Sequence, residues 1–245
     1  MFSPHRTGVV THRIVKEFLR DPRSRVVLVV TPGLLLVIVP ALFESATAFN
    51  PSGVMMIGLF PAMTMTLVGS ASIVRERTRG SLESILATPV TRPELVLGYV
   101  CAGAVLAAAQ SVVTTAVAYW VSDISTASPP WLLGLLAMCS GMFGMCLGLL
   151  ISAACANEGQ AFQFMPGVMI PQMLVTGIVW PVAQMADWVQ WLERALPLST
   201  VTRAMTAARE HSYGGTSLVT NLIAMLAVAA GALAFASLFI RRRTA

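Results

Sequence analysis

Apolar residues in this chain do not alternate with polar ones. They come in long runs, and the polar residues collect between the runs. Six such stretches stand out, at about 26–43, 54–74, 95–122, 131–156, 161–182 and 217–240. About 20 mostly apolar residues cross a bilayer as a helix. Spans of a β-barrel would instead be segments of about ten residues with alternating polarity, and that pattern is absent. The pattern predicts an all-α integral membrane protein with six transmembrane helices in a single transmembrane domain, residues 1–245.

Ahead of the first run, Val10, Ile14 and Phe18 recur every four residues, with Val15 and Leu19 beside them. His12, Arg13, Lys16, Glu17 and Arg20 take the other side. This predicts an amphipathic helix over 9–20, ended by Asp21-Pro22 because the residue before proline is steered away from the helical region. Its basic face suits the cytoplasmic headgroup layer, which makes Lys16, Glu17, Arg20 and Asp21 candidate interfacial residues. The alternative is a helix packed on a protein surface.

Three runs carry punctuation. Pro32 and Pro40 predict a kink in the first span. Ser140, Gly144, Gly148 and Ser152 form a small-residue stripe that lets another helix approach closely, from this chain or from a second copy. The fifth run, "FQFMPGVMIPQMLVTGIVWP", holds Pro166, Pro171 and Pro181 with Gly167 and Gly177, and predicts a broken span. Broken backbone at membrane depth is tolerated where protein or a water-lined cavity surrounds it. Gln163, Gln172 and Thr176 are therefore candidates to line a translocation path, or else to rebond the freed backbone groups. Beyond Trp180, the segment 183–212 is expected outside the membrane. In it Met185, Trp188, Val189, Leu192 and Leu196 make a helical stripe with Trp191 nearby, as expected for a short helix dipping into the outer headgroup layer and ended by Pro197.

Composition agrees with these spans. Of 245 residues 56% are hydrophobic and 11% charged, against roughly 25% charged in soluble domains. The net charge of +5 is distributed by position. Thirteen of the 16 basic residues flank the first span, the link between spans two and three, or the C-terminal end, and three lie between spans five and six. Basic residues are retained on the cytoplasmic side, so both termini are expected to be cytoplasmic. Charge split among membrane-flanking segments does not suggest nucleic-acid binding. Ala46-Thr47-Ala48 resembles a signal-cleavage site, but the first run is longer than a signal core and its leader is patterned, so the span is expected to be retained. Cys101, Cys139, Cys146 and Cys155 fall in predicted spans without metal-ligand spacing and read as packing residues. Fifteen arginines to one lysine, with abundant alanine and valine, point to a GC-rich bacterium and so to a bacterial cytoplasmic membrane.

Little in the chain suggests catalysis. The one lysine, Lys16 in "IVKEF", cannot form a Gly-Lys phosphate-binding loop. His5, His12 and His211 lack zinc-protease spacing, and no nucleophile-elbow motif occurs. The span interiors lack the ionisable groups of a proton relay. No catalytic residue, metal ligand or cofactor bound by this chain is expected. A passive or externally driven pathway remains, or a structural subunit.

One link is unlike its surroundings: "RERTRGSLESILATPVTRPE", Arg75 to Glu94. Leu82, Ile85 and Leu86 make an apolar ridge on a helix of about two turns. Ser81 suits its N-cap, Glu83 the positive end of its dipole, and Pro89 its end. Thr91 and Glu94 predict a capping box for the next helix. So short a helix is marginal alone. It is expected to dock on its own membrane domain or in a partner's groove.

These residues resemble the intracellular coupling segment of the type-2 permease family of ATP-binding cassette transporters, which includes drug, polysaccharide and lipid exporters. The family pattern matches Arg75, Glu76, Arg77, Gly80, Ser81, Leu82, Glu83, Ile85, Leu86, Thr88, Pro89, Arg92 and Glu94. Lys16-Glu17 and Arg20-Asp21-Pro22 are similar to the family's entry to the first span. So are the six spans, the broken fifth span and the external helix. Gly98-Tyr99 departs from a Gly-Lys that often follows the motif, and the segment after Pro197 matches only loosely.

The resemblance implies that 75–93 is the coupling segment, with Gly80, Ser81, Leu82, Glu83, Ser84, Ile85, Leu86, Thr88 and Pro89 as the ATPase-coupling residues. It implies a separate nucleotide-binding subunit holding ATP and Mg, and a second permease copy or a homologous permease. The function implied is outward movement of an amphiphilic or lipophilic substrate (a drug, lipid or glycolipid). The competing expectation is a structural or signalling membrane protein that docks a non-ATPase partner through the same segment.

Overall fold

The computed structural model describes residues 3–81, 85, 87–178, 180–211 and 215–239. Of the coupling residues expected from sequence, Leu82, Glu83, Ser84 and Leu86 lie outside the described residues. Among the described residues there is no strand.

Helix α1 covers Pro4–Arg20. After Asp21 the chain continues as α2 (Pro22–Arg25), a π-helical turn (Val26–Val30), α3 (Thr31–Ile38) and a 3₁₀ turn (Val39–Leu42). The expected kink is spread over these changes of helical register, the π turn falling directly before Thr31-Pro32. Helix α4 covers Ala46–Thr78, with Ser45 Oγ accepting from the Ala48 N–H at 3.2 Å. Its 33 residues extend roughly 50 Å at 1.5 Å per residue, well past the predicted 54–74. Gly80, at φ +71°, follows its end. That left-handed backbone favours glycine.

The remaining helices are α5 (Arg92–Trp120), α6 (Pro130–Ala154), α7 (Glu158–Val175), α8 (Asp187–Ala195), α9 (Pro197–Glu210) and α10 (Gly215–Phe239). Four helices among the described residues are long and apolar enough to span a membrane, namely Ala46–Thr78, Pro93–Trp120, Pro130–Ala154 and Thr216–Ala236. The first predicted span is divided into short pieces, the longest apolar one Thr31–Leu42. The fifth is the 18-residue α7, which runs straight through Pro166 and Pro171 and stops at Val175. The break lies beyond it, at Thr176 and Gly177, the latter at φ +89°. The described residues thus form an all-helical fold with four candidate spans, consistent with an integral membrane protein.

The small-residue stripe is used within the chain. An added Cβ on Gly144 would lie 2.0 Å from the Ala62 carbonyl oxygen, and one on Gly148 2.4 Å from that of Thr66. Helices α4 and α6 therefore touch backbone to backbone. Thr66 Oγ1 donates to the Gly144 carbonyl at 3.0 Å, and the Val74 N–H donates to Ser152 Oγ at 2.9 Å. Helix α9 was not foreseen as a separate element. It buries Leu198, Val201, Met205 and Ala208 beside α4, where Gly58 admits Met205.

Side-chain ties sort the loops into two ends. Arg75 pairs with Glu158, and Arg13 with Glu76, joining α1, the end of α4 and the α6–α7 turn. At the opposite end Asn50 bonds Ser125, Ser52 bonds Ile178 and Ser128 bonds His211. Ala232, late in α10, packs in one cluster with Val10, Ile14 and Val96. Residue 3 and the late turns of α10 thus lie at the end that carries the Arg75–Glu94 link.

Candidate functional site: a buried carboxylate joint beneath an amphipathic cavity

Helix α1 is bound to α5 along its apolar stripe. Val10 and Ile14 are buried, and Val10 sits over Gly98, where a Cβ would come within 2.4 Å of Val10 Cγ1. Thr11 Oγ1 donates to the Gly98 carbonyl at 3.2 Å. So the centre of the stripe expected to face lipid packs on this chain, and Val9 and Leu19 are left exposed. The absent side chain at Gly98 makes that contact possible. Lys16, Glu17, Arg20 and Asp21 are all exposed.

Helix α1 also brackets the charged link. At the far end of the link, Glu94 accepts from the backbone N–H of Ser3 at 2.6 Å and of Thr91 at 2.7 Å, the second bond being the expected capping interaction. Arg6 donates to the Pro89 carbonyl. At the near end stands Glu76, 8% exposed. Its carboxylate accepts from the Arg13 guanidinium of α1, from the Ser81 hydroxyl of the link and, at 3.0 Å, from the Tyr99 hydroxyl of α5. A buried carboxylate is stable there only because these donors replace water. Three segments therefore converge on one side chain.

Ser81 thus directs its hydroxyl to Glu76. Ile85 packs half-buried against the α1–α5 core, while Ala87, Thr88 and Pro89 are exposed, as is Gly80. The Tyr99 hydroxyl gives the departure from the Gly-Lys pattern a role: it is a neutral donor to Glu76, where lysine would bring a charge. Sequence reasoning included Glu76 in the motif but missed the joint. The available signal was a lone acid just past an apolar run, with the complementary cation distant in sequence.

Above the joint opens a cavity of about 810 Å³. Leu28, Leu67, Val68, Ala71 and Phe162 form its apolar part, with Thr64 at the deep end. Arg13, Glu17, Arg75, Glu76, Arg79 and Tyr99 are at its polar end. Oil above and charge below give it an amphipathic wall. Behind Thr64, whose hydroxyl donates to Gln110 Oε1 at 2.7 Å, lie the buried Gln110, Ser111, Thr114 and Thr115 of α5. This run, readable in sequence as "QSVVTT", was also missed.

The three path candidates do not meet in this cavity. Gln163 is exposed on the outside of α7. Gln172 donates through Nε2 to the Val168 carbonyl at 3.0 Å and accepts the Leu198 N–H at 3.2 Å. Thr176 donates to the Met173 carbonyl at 2.8 Å. Gln172 and Thr176 thus bond backbone groups around the proline-rich helix, and Gln172 ties α7 to the start of α9.

Residues 5–209 match the family model for the ABC-2 type transporter. The chain belongs to the ABC-2 type transporter family. That family is the membrane permease component of ABC transporters. The chain is similar to the probable multidrug ABC transporter permease YbhR of Escherichia coli K12, 29% identical over 147 residues, 60% of this chain and 40% of that protein. It is also similar to ABC transporter G family member 20 of Dictyostelium discoideum, 29% identical over 168 residues, 69% of this chain and 22% of that protein. The matches thus span two fifths or less of these curated relatives.

Proposed function

We propose that this chain is the translocation subunit of an ATP-driven exporter that moves an amphiphilic or lipophilic substrate outward. The observation that carries the reading is the position of the coupling joint. Glu76 holds the link that would face the ATPase and also lines the end of an amphipathic cavity. A displaced link therefore moves the cavity's own wall. The multidrug description of the Escherichia coli relative accords with such a substrate.

In this reading a separate nucleotide-binding subunit supplies ATP and Mg, and a second permease completes the path. Both chain ends and the segment 75–93 lie at the cytoplasmic face of a bacterial inner membrane. The segments 26–43 and 161–182 complete six crossings with the help of neighbouring protein. Lys16, Glu17, Arg20 and Asp21 face the headgroup layer. Helix α8 is oriented apolar side out, with Trp188 and Trp191 exposed and Glu193 buried against Arg203 at 3.4 Å, an arrangement suited to the outer lipid interface.

The test is reconstitution with the cognate nucleotide-binding subunit in vesicles. ATP-dependent movement of a fluorescent amphiphile is expected. Ala87→Arg adds bulk and charge at an exposed position of the link, so it is expected to abolish ATPase association while the permease still folds; Leu82→Asp is expected to do the same. Normal association and transport in both variants refute the assignment of the link. An ATPase-bound complex that moves no amphiphile refutes the transport reading.

A further inference from the structure

The deep end of the cavity borders a hydrogen-bonding group that the chain itself does not use. Thr64 stands near the middle of α4 and lines the cavity. Its hydroxyl meets Gln110 Oε1 at 2.7 Å. Gln110, near the middle of α5, is fully buried, and its Nε2 has no hydrogen-bond partner. The two amide atoms share one carbon, so Nε2 lies within roughly 5 Å of the Thr64 hydroxyl at the cavity wall. Two N–H donors are thus idle at membrane depth, where lipid offers no substitute and an unmet donor is costly. The neighbouring polar groups differ. Ser111 and Thr114 donate to carbonyls of their own helix, at 2.9 and 3.0 Å. Thr115 Oγ1, also unpartnered, faces Gly134 of α6, where an added Cβ would lie 3.6 Å away. An ionised group is expensive at this depth, so the partner that fits Gln110 is a neutral acceptor. Thr64 and Glu76 are twelve residues apart on α4, about 18 Å along its axis. The charged joint and the idle amide therefore address two separate parts of one ligand.

We propose that Gln110 is a specificity-determining residue for the transported substrate. Its Nε2 donates to a carbonyl oxygen carried on the substrate's apolar body, and Thr64 holds the amide in place through Oε1. The favoured class is a lipophilic compound with a neutral ketone, ester or amide about 18 Å from the end of the cavity that carries Glu76. A glycerolipid bears its ester carbonyls next to its head, so with that head at the joint they stop well short of Gln110. The fit is therefore to a drug-like body and not to a diacyl lipid. A substrate without the carbonyl leaves the amide unpaired, and an unmet buried donor discriminates more strongly than shape alone. The proposal rests on the reading of the chain as an amphiphile exporter, and it narrows the substrate class.

The experiment uses the full chain purified in an uncharged maltoside detergent. The probes are prodan, a dimethylaminonaphthalene with one propionyl carbonyl, and an analogue in which a methylene group replaces that carbonyl. Binding is measured by isothermal titration calorimetry and corrected for partition into empty micelles. Prodan emission moves to longer wavelength when its carbonyl accepts a hydrogen bond. The parent chain is expected to bind prodan at least about tenfold more tightly than the analogue, a difference of about 1.4 kcal/mol, with red-shifted emission. Gln110→Leu is expected to abolish the preference and the shift. Its thermal midpoint is expected to stay the same or rise, because the parent already leaves these donors unpaired. Val68→Phe fills the cavity and is expected to weaken both probes alike; unaffected binding would put the probes elsewhere and overturn the proposal. Equal affinity of the parent chain for the two probes overturns it without recourse to any variant. So does a carbonyl preference retained in folded Gln110→Leu. Dihexanoylphosphatidylcholine below its micellar concentration is expected to bind the parent and Gln110→Leu equally; a tenfold loss in the variant overturns the exclusion of glycerolipids. Carbonyl-selective binding without ATP-driven transport leaves this site standing and overturns the exporter reading; transport without carbonyl selectivity does the reverse.

Discussion

Replacing Gly148 by alanine tests the packing on which the rest of the bundle depends. The new Cβ would lie 2.4 Å from the Thr66 carbonyl oxygen and 2.8 Å from Gly69 Cα. Non-bonded carbon contacts settle at about 3.5–4.0 Å, so α4 and α6 must separate by roughly 1 Å. Both obstacles are backbone and cannot rotate away. Overpacking of this kind costs about 1–3 kcal/mol. The separation also stretches the Thr66–Gly144 and Val74–Ser152 hydrogen bonds, now 3.0 and 2.9 Å, each worth about 1 kcal/mol. Against this, alanine gains about 1 kcal/mol of helix propensity over glycine. The net expectation is a destabilisation of about 1–3 kcal/mol. Gly231→Ala in α10 is the control, because nothing lies within 4 Å of its added Cβ. It gains the propensity alone and is expected to be neutral or to stabilise by up to about 1 kcal/mol. The assay is unfolding in mixed micelles, followed by circular dichroism at 222 nm. If both substitutions shift the midpoint in the same direction and by the same amount, the backbone-contact account of the α4–α6 seam is wrong.

Glu76→Gln is expected to lower stability by about 1–3 kcal/mol, kept modest because its Arg13 partner is 44% exposed. It is also expected to reduce substrate moved per ATP in reconstituted transporter without loss of ATPase binding; an unchanged ratio argues against a coupling role. Gln172→Leu leaves the buried Leu198 N–H and the Val168 carbonyl without a side-chain partner. The expected cost is about 1–2 kcal/mol, with faster protease cleavage near residues 176–198 as a second readout. Unchanged proteolysis would mean that Gln172 does not tie α7 to α9.

Much of this organisation was legible in the chain. Long apolar runs separated by arginine-rich links specify a helical membrane protein, because lipid leaves the backbone no other way to satisfy its hydrogen bonds. The far end of the charged link could be read because its capping residues act within a few positions, whereas the Ser81 hydroxyl, expected to cap the short helix, bonds Glu76. Thr91 and Glu94 are three residues apart, and their capping interaction is present. The small-residue stripe was equally clear, since glycine every fourth residue marks one helix face. Its partner was not: periodicity describes a face but carries no address for what covers it, and only the packed chain assigns that face to α4.

The same limit explains the joint and the cavity. Arg13, Glu76 and Tyr99 are separated by 63 and 23 positions, and no local rule links groups so distant. The apolar stripe of α1 would have served lipid or protein alike, and the bare backbone at Gly98 turned part of it inward. The prolines of α7 suggested a break inside the helix, yet the chain continues through them and turns at Gly177. Local chemistry thus determined the class of protein, the helices with strong caps and the distribution of basic charge. Tertiary structure alone decided which faces meet and where the fifth run loses its regular helix. It also brought Arg13, Glu76 and Tyr99 to the end of one cavity, because that meeting depends on how helices distant in sequence pack together.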